Sequence, residues 1–152
     1  MDMAWLGQLG FGLTLGLAAI GSALGIGAAG RAAAGAWAKE AKEGKPLSFT
    51  YIILTGMPLS QTIYAFVLML IALKAAVTGD MASAHAGALF SIGIATGLGE
   101  LFSAWMQGLI GAAAIRCLSE GEGKGFAFLI IAMGIAETVG LFSFVFLYLM
   151  MP

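Results

Sequence analysis

Glu137 stands where a charge is costly. It interrupts an apolar stretch that runs through 125–136 and 138–152. It lies roughly eleven residues, or about 17 Å at 1.5 Å per residue, from the loop before that stretch. A carboxylate held that deep among apolar residues must be neutralised, by a proton or by a bound cation. A protonated glutamate bonded to a neighbouring helix is the plainer use of the same residue. Two glutamines fall at a similar depth on other segments: Gln61 at roughly 18 Å and Gln107 at roughly 14 Å from their own loops. Three oxygen-bearing side chains at one level, on three segments, is the arrangement that coordination needs. Carboxylate and amide oxygens are hard donors and suit a hard cation such as Na⁺. A proton carrier needs only the carboxylate, so the two amides tilt the reading from H⁺ towards Na⁺. As interhelical glue, the same amides would need no ion.

The residues beside Gln61 extend the set. Pro58 sits in Met57-Pro-Leu-Ser-Gln-Thr-Ile-Tyr64. It lacks an N–H and clashes with the preceding turn, which frees a backbone carbonyl. The i−4 rule points to Leu54, and local distortion can also turn out the carbonyl of Met57. Ser60 adds a hydroxyl directly before Gln61. Tyr64 follows one turn later, within reach of a carboxylate. Glu100 is a second intramembrane acid, on nearly the same face as Gln107 but about 10 Å further along the helix. That separation keeps it out of a first shell shared with Gln107, and suits a pore, a water-filled cavity or a partner side chain. His85 falls in a loop with no metal-ligand spacing around it. The lone Cys117 can make no intrachain disulfide.

Positioning these residues requires membrane helices. The chain has 152 residues, 61% of them hydrophobic and only 10% charged, with a mean hydropathy of +0.99. Soluble domains are about 45–50% apolar and about 25% charged, so the composition argues against a water-soluble enzyme. A net charge of −1 argues against nucleic-acid binding. Four apolar segments each exceed the roughly 20 residues a spanning helix needs. They predict an all-α membrane protein with helices over about 5–36, 48–74, 83–117 and 124–150. The short alternating segments of a barrel do not occur. The N-terminal apolar run is too long for a signal peptide and has Asp2 in place of a basic start.

Loop charge sets the expected orientation. Lys39, Lys42 and Lys45 mark the first loop, with Arg31 near its helix end, and Arg116 and Lys124 flank the third. Loops 37–48 and 117–124 are therefore expected in the cytoplasm, with both termini and the second loop outside. The alternation Lys39-Glu40, Lys42-Glu43 suits a solvated turn or a docking surface.

The chain also reads as a duplicated hairpin, 1–76 and 77–152, in parallel orientation. Helices 1 and 3 end alike, in Gly27-Ala-Ala-Gly-Arg31 and Gly111-Ala-Ala-Ala-Ile-Arg116. Helices 2 and 4 both carry a polar site followed by apolar residues, Gln61-Thr-Ile and Glu137-Thr-Val. Glycine crowds helices 1 and 3, whereas aromatics crowd 2 and 4. The spacings Gly12-xxx-Gly16, Gly21-xxx-Gly25 and Gly93-xxx-Gly97 suit close backbone approach. This favours a two-layer ring, helices 1 and 3 inside and 2 and 4 outside, over packing within one bundle alone.

At these residues the chain resembles the proteolipid (K or c) subunit of rotary V-type ATPases, and most of all its Na⁺-transporting bacterial members. The resemblance covers essentially the whole chain. Its most specific pieces are Met57-Pro-Leu-Ser-Gln-Thr-Ile-Tyr64, Leu101-Phe-Ser-Ala-Trp-Met-Gln-Gly108 and Ala136-Glu-Thr138. It implies an ion held by Glu137, Gln61, Gln107, the Ser60 hydroxyl and the Met57 carbonyl, with Tyr64 hydrogen-bonded to Glu137. Two departures stand out: Leu59-Ser60-Gln61-Thr62 replaces a frequent Gly-Thr-Gln-Gly, and Glu100 replaces a small residue.

The resemblance further implies a homo-oligomeric ring in lipid, in a bacterial plasma membrane, beside a stator subunit that supplies an arginine. A central stalk would dock on the cytoplasmic loops, and ATP hydrolysis would occur in other subunits. Four helices per ion-carrying carboxylate would give fewer ions per turn than a ring of two-helix subunits with the same helix count. The alternatives are a proton-coupled ring, a stand-alone four-helix transporter or channel, and a purely structural proteolipid.

Overall fold

The computed structural model describes residues 3–152. Four helices are long and apolar enough to cross a membrane: α1 (Ala4–Lys42), α2 (Thr50–Ala76), α3 (Ala86–Glu120) and α4 (Phe126–Leu149). Among the described residues there is no strand. The predicted all-α membrane class holds, and each predicted span corresponds to one helix. The boundaries move at the loops. α1 runs past 36 to Lys42, and α3 past 117 to Glu120. Part of each expected loop is thus helix: Lys39 and Lys42 project from the last turn of α1. At 39 and 35 residues, α1 and α3 measure about 58 and 52 Å, well beyond a hydrocarbon core of about 30 Å.

The first turn is built, not merely solvated. Gly44 takes φ +67, a left-handed conformation that ends α1 at little steric cost. Glu40 then reaches across to α2. Its carboxylate accepts from the Ser48 amide at 3.0 Å and from the Tyr51 hydroxyl at 2.6 Å. The Trp37 indole donates to Ser48 O at 2.9 Å. Lys45 and Glu43 pair at 2.9 Å on the exposed tip, a contact of small energetic weight. The second connection contains a one-turn helix, Met81–Ala84. His85 lies exposed at the start of α3.

α1 and α3 meet backbone to backbone. A Cβ placed on Gly108 would overlap the main chain of Gly25, one on Gly93 that of Gly10, and one on Gly21 that of Leu101. This contact is the physical reason for glycine in these two helices despite its helix penalty. Gly21, Gly25, Gly93 and Gly97 serve it as the spacing suggested. Gly12 and Gly16 do not: both face open space, so their pair plays no part in packing within the chain.

α2 and α4 lie against this glycine-tight pair. Of α4 only Met133 and Gly140 are buried. Two apolar clusters form the core. One lies towards the α1–α2 turn and includes Ala29, Ala33, Leu54, Ala114, Ile115 and Met133. The other, towards the opposite end, includes Leu68, Leu73, Val77, Leu89 and Ile92. The polar residues singled out above fall between them.

Candidate functional site

α2 is not a uniform helix. At Pro58 it tightens into a 3₁₀ turn, Met57–Leu59, before resuming at Ser60. Near its far end it widens into a π-helical stretch, Met69–Leu73, which nothing in the sequence announced. Pro58 is buried, and its Cβ would lie 2.9 Å from a Cβ added to Gly25. The ring therefore seats against the glycine face of α1. The structure separates the two candidate carbonyls. Leu54 O turns towards α3, 3.1 Å from a Cβ added at Gly111. Met57 O accepts from the Ser60 amide and hydroxyl, the latter at 3.0 Å.

The 3₁₀ turn gathers oxygens. Ser60 Oγ lies 3.0 Å from Met57 O and 3.2 Å from Gln61 Oε1. A hydroxyl has one hydrogen to give, so these three oxygens share a single side-chain proton. That is an electron-rich corner.

Gln61 links this corner to α3. Its Nε2 donates to Ser103 Oγ and to Gln107 Oε1, each at 3.1 Å. This fixes the amide with its oxygen towards Ser60. Gln107 continues the chain: its Nε2 donates to Met133 O and to Glu137 Oε2, each at 3.2 Å. Tyr64 donates to the other carboxylate oxygen, Glu137 Oε1, at 2.9 Å. The Tyr64 ring stacks on Phe144, 6.4 Å between centroids and 11° between planes.

All six residues singled out thus fall in one neighbourhood. Met57, Ser60, Gln61 and Tyr64 come from α2, Gln107 from α3 and Glu137 from α4. Gln61 and Gln107 are fully buried, whereas Glu137 is half-buried. Gln107 turns its amide nitrogen, not its oxygen, to the carboxylate.

Ser103 completes the network and was not singled out in the sequence. Its hydroxyl accepts from Gln61 and donates to Ala136 O at 2.8 Å, bridging α2, α3 and α4. Its one signal was the i,i+4 spacing to Gln107, which puts both on one helix face.

Glu100 departs from expectation. It faces neither a pore nor an external cavity: it is fully buried within the chain. A Cβ on Gly140 would overlap Glu100 Oε2 and lie 3.0 Å from Ser103 Oγ. Gly140 leaves room for the carboxyl beside Ser103, and neither carboxyl oxygen bonds Gln107, in keeping with their offset along α3. No group of three or more His, Cys, Asp or Glu suited to a metal occurs among the described residues. The site has amide, hydroxyl and carbonyl oxygens around one carboxylate instead.

Residues 9–72 and 90–150 match the family of the ATP synthase C subunit. The chain belongs to that family. Its members are ion-translocating rotor subunits, not catalysts of nucleotide hydrolysis. The chain is also 31% identical, over 135 residues, to the A-type ATP synthase subunit K of Methanocaldococcus jannaschii. That alignment takes in 86% of this chain but 56% of the relative, so the chain spans little more than half the length of that protein.

Proposed function

We propose that this chain is the ion-carrying subunit of the membrane rotor ring of a rotary ATPase, and that its cargo is Na⁺, held on Glu137. The observation that carries the sodium reading is the oxygen-rich corner of Met57 O, Ser60 Oγ and Gln61 Oε1, with one hydroxyl hydrogen among them. A protonated carboxyl needs only one acceptor for its single O–H. A hard cation beside an acidic side chain takes several such oxygens. Glu137 supplies the charge, and Gln107 supplies a further oxygen once its amide turns over.

Two features support the ring. Gly12 and Gly16 on α1 face open space, where a second copy can approach closely. Most of α4 is exposed and strongly apolar, as a helix facing lipid or neighbours should be. The two matched stretches, 9–72 and 90–150, support a tandem pair of hairpins within 1–76 and 77–152.

In this reading Glu137 enters the interface with a stator subunit. An arginine of that partner displaces the ion into an exit path, and the emptied site refills from the opposite side. Between visits the bound Na⁺ neutralises the half-buried carboxylate, so that it can pass lipid cheaply. The turns at 43–49 and 121–125 face the cytoplasm and a central stalk, on the rule that basic residues gather there.

The test is carbodiimide labelling of Glu137 in the purified protein, with and without Na⁺, across several pH values. Protection by Na⁺ that strengthens as pH rises, where fewer protons compete, is expected. Labelling that follows pH alone would sink the sodium assignment in favour of a proton-coupled ring. A mass in mild detergent equal to one or two chains would sink the ring in favour of a small transporter.

A further inference from the structure

Glu100 is the ionisable side chain of the polar layer that the mechanism above does not use. It is fully buried, and neither of its carboxyl oxygens has a hydrogen-bond partner. Thr96 lies one turn earlier on the same face of α3. It too is fully buried, and its hydroxyl has no partner. Three unpartnered oxygens thus sit on consecutive turns in the interior of the chain.

The neighbouring donors are already committed. Gln61 Nε2 serves Ser103 and Gln107. Gln107 Nε2 serves Met133 and Glu137. The Ser103 hydroxyl serves Ala136 O, and the Tyr64 hydroxyl serves Glu137. None of these donors is left for a second carboxylate, and the uncommitted Thr96 hydroxyl makes no bond to it. The Lys45–Glu43 ion pair lies far away, in the α1–α2 turn. An ionised Glu100 would therefore be a buried, uncompensated charge close to a second carboxylate, an arrangement folded proteins avoid.

The backbone nevertheless makes room for this side chain. Gly140 leaves the space that Glu100 Oε2 occupies, and Gly99 brings α3 so close to Ser143 that a Cβ there would overlap its hydroxyl. α3 and α4 close around the carboxyl.

We propose that Glu100, with the Thr96 hydroxyl, holds a second monovalent cation in each chain, distinct from the ion on Glu137. Electroneutrality sets the number: two carboxyl groups in one polar layer need two positive charges. The second position is enclosed, whereas Glu137 is only half-buried. The inference rests on the reading of Glu137 as the ion carrier, but not on that ion being Na⁺. A proton and a Na⁺ ion both satisfy a carboxylate, and the experiment separates them.

The test counts cations in the purified, assembled protein. Radioactive Na⁺ bound per chain at saturation is measured together with the infrared carbonyl band of protonated carboxylic acid, in wild type, Glu100→Gln and Glu137→Gln. Two cations per chain are expected in wild type and one in each variant. Two Na⁺ ions with no acid band identify Na⁺ at Glu100. One Na⁺ with an acid band that vanishes in Glu100→Gln identifies a proton. Two acid bands and no bound Na⁺ would end the sodium reading of Glu137 and leave the second position standing. A Glu100→Gln protein that loses neither a Na⁺ ion nor an acid band overturns the proposal. Should that variant fail to assemble, Thr96→Val serves in its place. It is expected to weaken the second Na⁺ several-fold or to move the acid band to higher frequency, and no change in either overturns the proposal.

Discussion

Substituting Gln61 by leucine separates an ion ligand from interhelical glue. Gln61 is fully buried and joins both sides of the network. Its nitrogen bonds Ser103 and Gln107 at 3.1 Å, and its oxygen faces Ser60 at 3.2 Å. Leucine keeps the approximate volume and removes all three polar contacts. Two consequences follow, and they are measured separately. Gln107 Oε1 loses its donor while remaining buried, which costs about 1–3 kcal/mol of stability. This loss belongs to the ion-free state, and thermal unfolding in Na⁺-free buffer reports it.

The second consequence exists only if Gln61 Oε1 contacts the ion. A neutral polar group facing a charge contributes about 1.5–3 kcal/mol. At tenfold per 1.4 kcal/mol, losing it weakens Na⁺ binding about ten- to hundredfold. The assay is the Na⁺ concentration that half-protects Glu137 from carbodiimide. A less stable protein whose half-protecting concentration moves less than about threefold, or 0.7 kcal/mol, would refute the ligand assignment. Gln61 would then be a brace between α2 and α3 and nothing more.

Tyr64→Phe removes the 2.9 Å donor to Glu137 Oε1 but keeps the ring on Phe144. Faster carbodiimide labelling is expected, with a loss of thermal stability of no more than about 1.5–3 kcal/mol. Gly108→Ala drives a methyl into the Gly25 backbone and should cost about 1–3 kcal/mol by overpacking, read as a lower unfolding temperature. Gly12→Ala, in open space, should stabilise the single chain by about 0.5–1 kcal/mol; a disruptive effect should appear only in the mass of the assembled ring. Tyr51→Phe removes the 2.6 Å bond to Glu40, and proteolysis in the α1–α2 turn should accelerate while Na⁺ protection of Glu137 stays unchanged. Finally, hydrogen exchange in the detergent-solubilised protein should slow on Na⁺ addition around residues 133–140 more than at either end of α4; a uniform change would mean that the ion does not act locally.

Much of this was legible because membranes punish exceptions. Glu137, Gln61 and Gln107 stand out as polar residues in apolar stretches, and a constant rise per residue was enough to match their depths. The four spans were legible for the same reason. The helix ends were less so. Residues 37–42 are polar enough to pass for loop, yet they continue α1 because Glu40 finds partners on α2, a contact between segments that periodicity does not encode. The surroundings of Glu100 were not legible, because the space it fills is left by Gly140 on another helix, a contact that spacing along α3 does not encode. Ser103 went unnoticed because a serine in a membrane helix often just bonds its own backbone. Gly12 and Gly16 show the converse: a close-packing spacing that has no partner within the chain.

The site is also what fastens α4. Only Met133 and Gly140 of that helix are buried, and each meets the polar layer. Met133 O accepts from Gln107, and Gly140 shelters Glu100. Between them, Ala136 O accepts from Ser103, and Glu137 accepts from Gln107 and Tyr64. These polar bonds join α4 to α2 and α3, with apolar clusters on either side. On the proposed reading, an ion bound here neutralises Glu137 and competes for the same oxygens. Binding and helix docking therefore draw on one set of contacts. Glu137 is held by two donors from buried or stacked residues while remaining half-exposed itself. The carboxylate is thus positioned from the interior and accessible from the side of the bundle, which is what the proposed role requires of a group that keeps an ion during transit and gives it up where a partner surface competes for it.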